Sequence, residues 1–243
     1  MSIIYDEENK TFNIMTPHTS YVVGVLNDKY LLHLYYGKRI SSFGRITENM
    51  PVRGCAVLSA NDISGSPLCT NNLPIEYPTY GSADFRTPAL HLEYNDGSAV
   101  TKPEYEGYKI FKGKKTLSGL PAVYIEEENE AETLEITLCD KLKGVRVILS
   151  YTAFASHDAI CKSVRIINNG SETVDIRSAM SSTFYVFDKN FDIIHLAGAW
   201  AVERHIKKVP LTYGMFSIDS KRGASSPFHS PFLALARPET TET

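Results

Sequence analysis

The chain has 243 residues with a formal charge of −3, 43% hydrophobic and 22% charged. That is enough apolar material for one large all-β domain or two smaller ones. The charge balance gives no electrostatic basis for nucleic-acid binding, and no apolar run approaches the ~20 residues that span a bilayer. The densest basic patch, Lys112-Gly113-Lys114-Lys115, reads as a solvated turn.

The opening residues MSIIYDEENK carry acids where a signal peptide needs basic residues, so a soluble, cytoplasmic protein is expected. The four cysteines, Cys55, Cys69, Cys139 and Cys161, lack the short paired spacings of zinc sites and read as free thiols. Neither a metal nor a cofactor is expected.

Taken in order, the chain shows period-two patterning almost throughout. Tyr30 to Tyr36 reads YLLHLYY, an aromatic-rich strand bounded by Asp28 and Gly37. Between Gly37 and Leu90 the pattern lapses into SANDISGSPLCTNNLP and then LPIEYPTYGSADFRTPAL. In the latter, Pro74, Pro78 and Pro88 each remove a backbone donor and bias the preceding residue away from helix. An aromatic-rich segment that cannot join a ladder is expected to be an ordered loop packed by its own side chains. Long irregular segments of this kind usually carry a function or an interface.

Asn95-Asp96-Gly97 is read as a hairpin turn. Leu134, Ile136 and Leu138 alternate with polar residues, as do Val145, Val147 and Leu149. Further on, two alternating segments flank Asn168-Asn169-Gly170, which reads as another hairpin because Asn and Gly tolerate positive φ. The acidic group at Glu126, Glu127, Glu128, Glu130 and Glu132 lacks the ligand spacing and turn glycine of a calcium loop, and is read as a solvated hairpin tip. Phe232 to Ala236 forms an apolar strand before the polar residues ARPETTET. Strands separated by polar turns, without helical stretches of 10–15 residues, point to an antiparallel sandwich spanning 1–243 as one domain.

Catalytic patterns are missing from this sequence. The seven histidines are scattered singly, with no HxH or HxxxH pair and no GxSxG elbow. His33, His91 and His195 fall in strand-like segments and are expected to be hydrogen-bonded structural histidines. Trp200, the only tryptophan, follows Ala197-Gly198-Ala199, a small-residue turn that would allow close approach of another surface. It fits a core or interface role, or a platform for the apolar face of a sugar ring with an indole N–H for a hydroxyl.

Five stretches carry a family resemblance, in order along the chain. They are HLYYGK at 33–38, LPIEYPTYGSADFRTPAL at 73–90, FKGKKTLSGLPAVYIEEENEAETLEITLCD at 111–140, HLAGAWAVER at 195–204 and RGASSPFHSPFLAL at 222–235. The chain resembles the N-terminal domain of bacterial α-galactosidases of glycoside hydrolase family 36, enzymes acting on raffinose- and melibiose-type galactosides. The resemblance implies a large twisted antiparallel β-supersandwich preceding a (β/α)₈ barrel. It places both catalytic aspartates of a retaining mechanism in that barrel, with carboxyls about 5–5.5 Å apart. The barrel is absent from these 243 residues, so the chain alone is expected to be inactive and to contain no catalytic residue.

The resemblance also implies that Trp200 lines the galactose subsite. In the parent enzyme the domain would shape the active-site mouth, meet its own C-terminal barrel and support a homo-oligomer, with α-galactoside sugars as ligands. Where the family carries an aspartate used by a neighbouring subunit, an ungapped count places Gly54; Asp62 is the nearest acid downstream. Pro227 and Ser230 depart from the family pattern as well. Asp84 and Arg86 either fix the loop as an ion pair or contribute to subunit or barrel docking. The alternative function is a freestanding carbohydrate-binding or interaction module without catalysis.

Overall fold

A computed structural model describes residues 2–46, 70, 73–81, 84–119, 122–186, 190–220, 224–226 and 228–241. Gly54, Cys55, Asp62, Cys69 and Pro227 lie outside the described residues. All strand ladders are antiparallel, as the alternating sequence requires. The chain divides into two compact units, Met1–Tyr185 and Val186–Thr243.

In the first unit, β1 (Ile3–Asp6), β2 (Thr11–Met15), β3 (Thr19–Leu26) and β4 (Tyr30–Lys38) form one meander. Two-stranded pairing joins β5 (Leu90–Tyr94) to β10 (Val174–Ala179). A second meander comprises β6 (Glu104–Lys112), β7 (Ala131–Asp140), β8 (Val145–Phe154) and β9 (Ile160–Asn168). Phe12, Ile14, Val23 and Val25 from the first meander share a core with Leu134, Ile136, Val147 and Leu149 from the second. Leu90 and Leu92 of β5 join the same core. The alternation read at 134–138 and 145–149 therefore does mark inward-facing positions.

The first meander is buried on its other face too, where Val22, Leu32 and Leu34 pack with Ile46 and Leu73. A one-residue slip in the β3–β4 pairing, Val22↔Tyr35 followed by Val23↔His33, leaves Leu34 as the extra residue. Such a bulge re-aims the side chains beyond it. Here Leu34 and Tyr35 both join the outer cluster, while Tyr36 lies near Tyr21 with ring centroids 6.1 Å apart.

Both hairpins expected at turns bearing Asn and Gly prove to be crossovers. Asn95-Asp96-Gly97 does turn the chain, with Gly97 at φ 77 and its N–H donating to the Tyr94 carbonyl at 2.9 Å. Its flanking strands nevertheless separate, β5 pairing with β10 and β6 with β7. Likewise β9 pairs with β8, whereas β10 leaves for β5. The Asn169 amide instead donates to Gly144 O at 2.9 Å, in the β7–β8 turn. A Cβ on Gly144, at φ 70, would meet Gly170 at 2.8 Å, so two tight turns abut where one hairpin was expected. Turn chemistry sets the reversal; it does not choose the strand's partner.

The segment 73–81 explains how the two meanders are held in register. Its backbone runs along β4: His33 N donates to Pro74 O at 2.8 Å and Glu76 N to Leu31 O at 3.0 Å. Pro74 and Pro78 lack N–H groups but offer carbonyls, and Pro78 O accepts from Ala89 and Leu90. This path drives Glu76, 2% exposed, between the sheets. The Tyr21 hydroxyl lies 2.7 and 2.8 Å from its two carboxylate oxygens, and Tyr151 donates to Oε1 at 2.9 Å. Lys162 Nζ donates to Glu76 Oε1 at 2.7 Å, to the Tyr21 hydroxyl oxygen at 3.0 Å and to Thr183 O at 2.9 Å. Its three N–H bonds thus find three acceptors. His33 Nδ1 stands 3.5 Å from Oε2, and the Thr183 hydroxyl donates to the Glu76 carbonyl.

Burial works against ionising Glu76, but the contacts from His33 and Lys162 outweigh it and hold the carboxyl below the ordinary glutamate range. Burial, reinforced by the neighbouring carboxylate, pushes the Tyr21 and Tyr151 hydroxyls up, so both remain donors. Over residues 73–81 the segment is a side-chain-packed loop, as expected from its composition, but it does not stay clear of the sheets: Ile75 bridges Leu32, Thr79 bridges Leu90, and Leu90 begins β5.

Lys162→Met removes the cation and leaves a buried carboxylate, so it should cost about 3–5 kcal/mol of unfolding free energy in urea titrations. A change below ~1 kcal/mol would show that the ion pair is dispensable. Glu76→Gln has a distinct pH signature. Because the folded pKa is depressed, the carboxylate's contribution is fully present above the unfolded value, about 4.3, and is lost as pH falls through the folded one. The stability gap between wild type and Glu76→Gln should be wide at neutral pH and narrow in more acidic buffer; a pH-independent gap contradicts the assignment.

Candidate functional site

Among the described residues the buried carboxylate gathers a dense set of polar partners, and perturbed groups of this kind often mark active sites. Here the geometry argues against that use. Glu76 is 2% and Tyr151 1% exposed, and the oxygens are already occupied by Tyr21, Tyr151 and Lys162. A general acid or base must reach the proton it moves. This cluster is sealed by the side chains that define it, and its chemistry is structural.

Asp84 and Arg86, singled out from the sequence, are brought together within the first unit. Arg86 Nε donates to Asp84 Oδ1 at 2.8 Å and Nη2 to Oδ2 at 2.5 Å, a bidentate fork. The same Nη2 reaches Leu73 O at 2.6 Å and Thr70 O at 3.3 Å, and the guanidinium carbon lies 5.7 Å from the Tyr185 ring centroid. The Arg86 amide also donates to Asp84 Oδ1 at 3.1 Å, closing a tight turn. Between the two partners, Phe85 is left 77% exposed. The pair fixes its own loop, and the ring it presents is available for contact.

Trp200 lies in the second unit, a three-stranded sheet in which β11 (Asp192–Ala199) runs between β12 (Val202–Pro210) and β13 (His229–Ala236). The small residues Ala197-Gly198-Ala199 end β11 instead of forming the turn; the reversal falls on Trp200 and Ala201, with Ala201 at φ 62. Gly198 is required by close approach: a Cβ there would stand 2.1 Å from Val202 O. Its N–H donates to Phe228 O at 2.9 Å, tying the tip to the segment before β13. The Ala201 amide donates to Glu203 Oε1 at 3.0 Å. On this tip the indole is 83% exposed, so Trp200 is no part of the core of its unit. An exposed, two-faced ring on a hydrogen-bonded turn can stack on an apolar surface and donate one hydrogen bond.

The three strand histidines fall where expected, in β4, β5 and β11. His91 stacks on Tyr80, with ring centroids 4.1 Å apart. His195 departs from expectation. It packs edge-on against Phe216 and His229, and its buried Nδ1 has no hydrogen-bond partner among the described residues. The acids Glu126 to Glu128 are exposed, while Glu132 Oε2 accepts the Ser2 and Ile3 amides at 2.7 and 2.9 Å. Cys139 and Cys161 are free thiols, the first buried and the second half-buried.

Sequence reasoning missed Glu76, Tyr151 and Lys162. The available signal was weak: a lone glutamate between two prolines, and a lysine inside the CKSVRII strand pattern.

Comparison with known proteins fits this architecture. Residues 29–243 match the glycosyl hydrolase family 36 N-terminal domain. The chain is 39% identical over 242 residues to α-galactosidase AgaA of Geobacillus stearothermophilus, covering 100% of this chain and 33% of that protein. It is 36% identical over 251 residues to the bifunctional α-galactosidase/sucrose kinase AgaSK of Mediterraneibacter gnavus, covering 100% of this chain and 26% of that one. The crystal structure of AgaB from G. stearothermophilus superposes with a TM-score of 0.92 at 38% identity, over 98% of this chain and 32% of AgaB. A variant of AgaA crystallised in complex with raffinose gives 0.90 at 40% identity, over 95% and 32%. The chain therefore spans about a third of the length of most of these relatives, and it belongs to the glycosyl hydrolase family 36 N-terminal domain family.

Proposed function

We propose that this chain is the N-terminal β-domain of an α-galactosidase that hydrolyses terminal α-linked galactose from raffinose- and melibiose-type galactosides. The observation that carries the reading is end-to-end similarity to AgaA, at 39% identity, together with the fit to an AgaA variant crystallised with raffinose. The family model runs from residue 29 to 243, across both compact units, which supports treating them as one domain. In this proposal the retaining two-aspartate chemistry belongs to a (β/α)₈ barrel in the longer protein, and the present residues bind and position.

Trp200 is the residue we assign to the sugar. Its ring projects from a turn fixed by Gly198 and Ala201 and is largely exposed. The second unit also leaves several large apolar side chains exposed. Ile206 is 70%, Tyr213 89% and Met215 83% exposed, and β12 is exposed along its whole length. Large apolar side chains this exposed suit a surface that another body covers. The barrel of the longer protein is the proposed cover, and a homo-oligomer is a further part of the proposal. Phe85, held out by the Asp84–Arg86 pair, is offered as a docking contact of the first unit.

In the longer protein, Trp200→Ala should lower kcat/KM on p-nitrophenyl α-galactoside about tenfold, the equivalent of one stacking contact. Because the residue is exposed, stability should change by no more than about 0.5 kcal/mol. Unchanged kinetics would remove Trp200 from the sugar site. Activity in the 243-residue chain by itself would overturn the location of the chemistry. Arg86→Ala leaves Asp84, whose side chain is 2% exposed, without its partner, and should cost about 1–3 kcal/mol in thermal or urea melts. Arg86→Lys should recover only part of this, since an ammonium cannot reproduce the fork.

A further inference from the structure

The β6–β9 sheet has one apolar face in the sandwich core and one that faces outward. Strand register arranges the outward residues in rows. Phe111, Thr133, Thr152 and Cys161 lie opposite one another; the next row runs Lys109, Glu135, Ser150, Ser163, and Arg165 follows beside Ile148. The chain leaving β6 folds back over this face. Gly113 N donates to Ala131 O at 2.7 Å, and the Thr133 hydroxyl donates to Gly113 O at 2.6 Å. Lys115 Nζ then reaches both Glu135 oxygens, at 2.7 and 2.8 Å. The result is a cleft of about 420 Å³, floored by the sheet and walled by Leu117 and Val123.

The polar lining of this cleft is unbalanced. Glu135 is the one acid on it among the described residues, and Lys115 neutralises that acid. Lys162 turns away, through its pair with Glu76. Lys114 and Arg165 remain, and neither has an ion-pair partner among the described residues. The hydroxyls of Ser150 and Ser163, side by side across β8 and β9, likewise have no hydrogen-bond partner there. Arg165 stands two residues along β9 from Ser163, on the same face and so about 7 Å away. An arginine rooted that far along the strand from paired serines, beneath an apolar wall, suits a small ligand with an anionic group at one end and hydroxyls at the other.

The geometry points to a second binding site on this outer face, taking a small phosphorylated sugar. Arg165, with Lys114, holds the phosphate; Ser150 and Ser163 hydrogen-bond the ring hydroxyls, and Leu117 and Val123 cover its apolar edge. The site lies wholly within the first unit and uses none of the residues assigned to galactoside binding. It stands or falls separately from the proposed α-galactosidase role.

The test is calorimetric titration of the chain with glucose 6-phosphate, glucose and inorganic phosphate in parallel. Glucose 6-phosphate should bind saturably and at least about tenfold more tightly than either control, with affinity falling as salt is raised. Arg165→Gln, an exposed-site change, should weaken binding about tenfold or more, and Ser163→Ala should weaken it less. Bound ligand should also slow alkylation of Cys161, read by peptide mass spectrometry, because this thiol lines the cleft. The assignment is overturned by no saturation up to about 10 mM. Equal binding of inorganic phosphate, indifference to Arg165→Gln, or loss of binding in Trp200→Ala would overturn it as well.

Discussion

A single carboxylate sealed between two sheets is the constraint on which the first unit depends. Glu76 is supplied by an irregular segment, yet its partners come from β3, β8 and β9, and His33 of β4 stands beside it. A buried charge without partners costs several kcal/mol, so the sandwich is satisfied only when all these strands are in register. The apolar core resists separation of the sheets through contacts that carry little directional preference. The carboxylate adds direction, because its donors must each lie within hydrogen-bond reach of two oxygens about two ångströms apart.

The same segment shows why prolines are useful in an organising loop. Pro74 and Pro78 cannot donate to a ladder, so the chain cannot become a regular strand beside β4. Its backbone hydrogen bonds to β4, among the described residues, run through Pro74 O and Glu76 N, and it then departs to meet Ala89 and Leu90. Tyr77 buries its ring and donates to Met180 O at 2.8 Å, while Thr79 donates to Thr101 O at 2.6 Å. Four consecutive residues thereby fasten segments otherwise far apart in the chain. The Asp84–Arg86 fork continues this work at the surface, reaching back to the Leu73 carbonyl.

The second unit is organised on the opposite principle. Its sheet has little core of its own; Ile193 and His195 are buried, whereas β12 is exposed throughout. Local backbone geometry carries the order there. Gly198 permits a close approach of β11 to β12 at Val202, and Ala201 takes a left-handed conformation to complete the turn. These features place the only tryptophan on a defined tip without burying it.

The sequence by itself determined that the protein is all-β, since period-two alternation and closely spaced turn signals leave no room for helices. Leu134, Ile136 and Leu138 faced inward as read, and the aromatic strand beginning at Tyr30 was found with its start correct. The family was legible as well, from ordered stretches such as YPTYGSADFR and HLAGAW that no short motif could match by chance. Strand partnership was not legible. Asn168-Asn169-Gly170 and Asn95-Asp96-Gly97 both turn the chain, but the strands on either side join different sheets. Nor could sequence place Trp200, whose indole suits a core and a surface equally until its turn is known. Tertiary structure also decided that Lys162 points inward to Glu76 while Arg165, three residues on, points outward into the cleft. Side-chain parity within a strand is a local property, written in the sequence; which face becomes interior, and which distant carboxylate awaits there, depends on contacts between residues 86 apart.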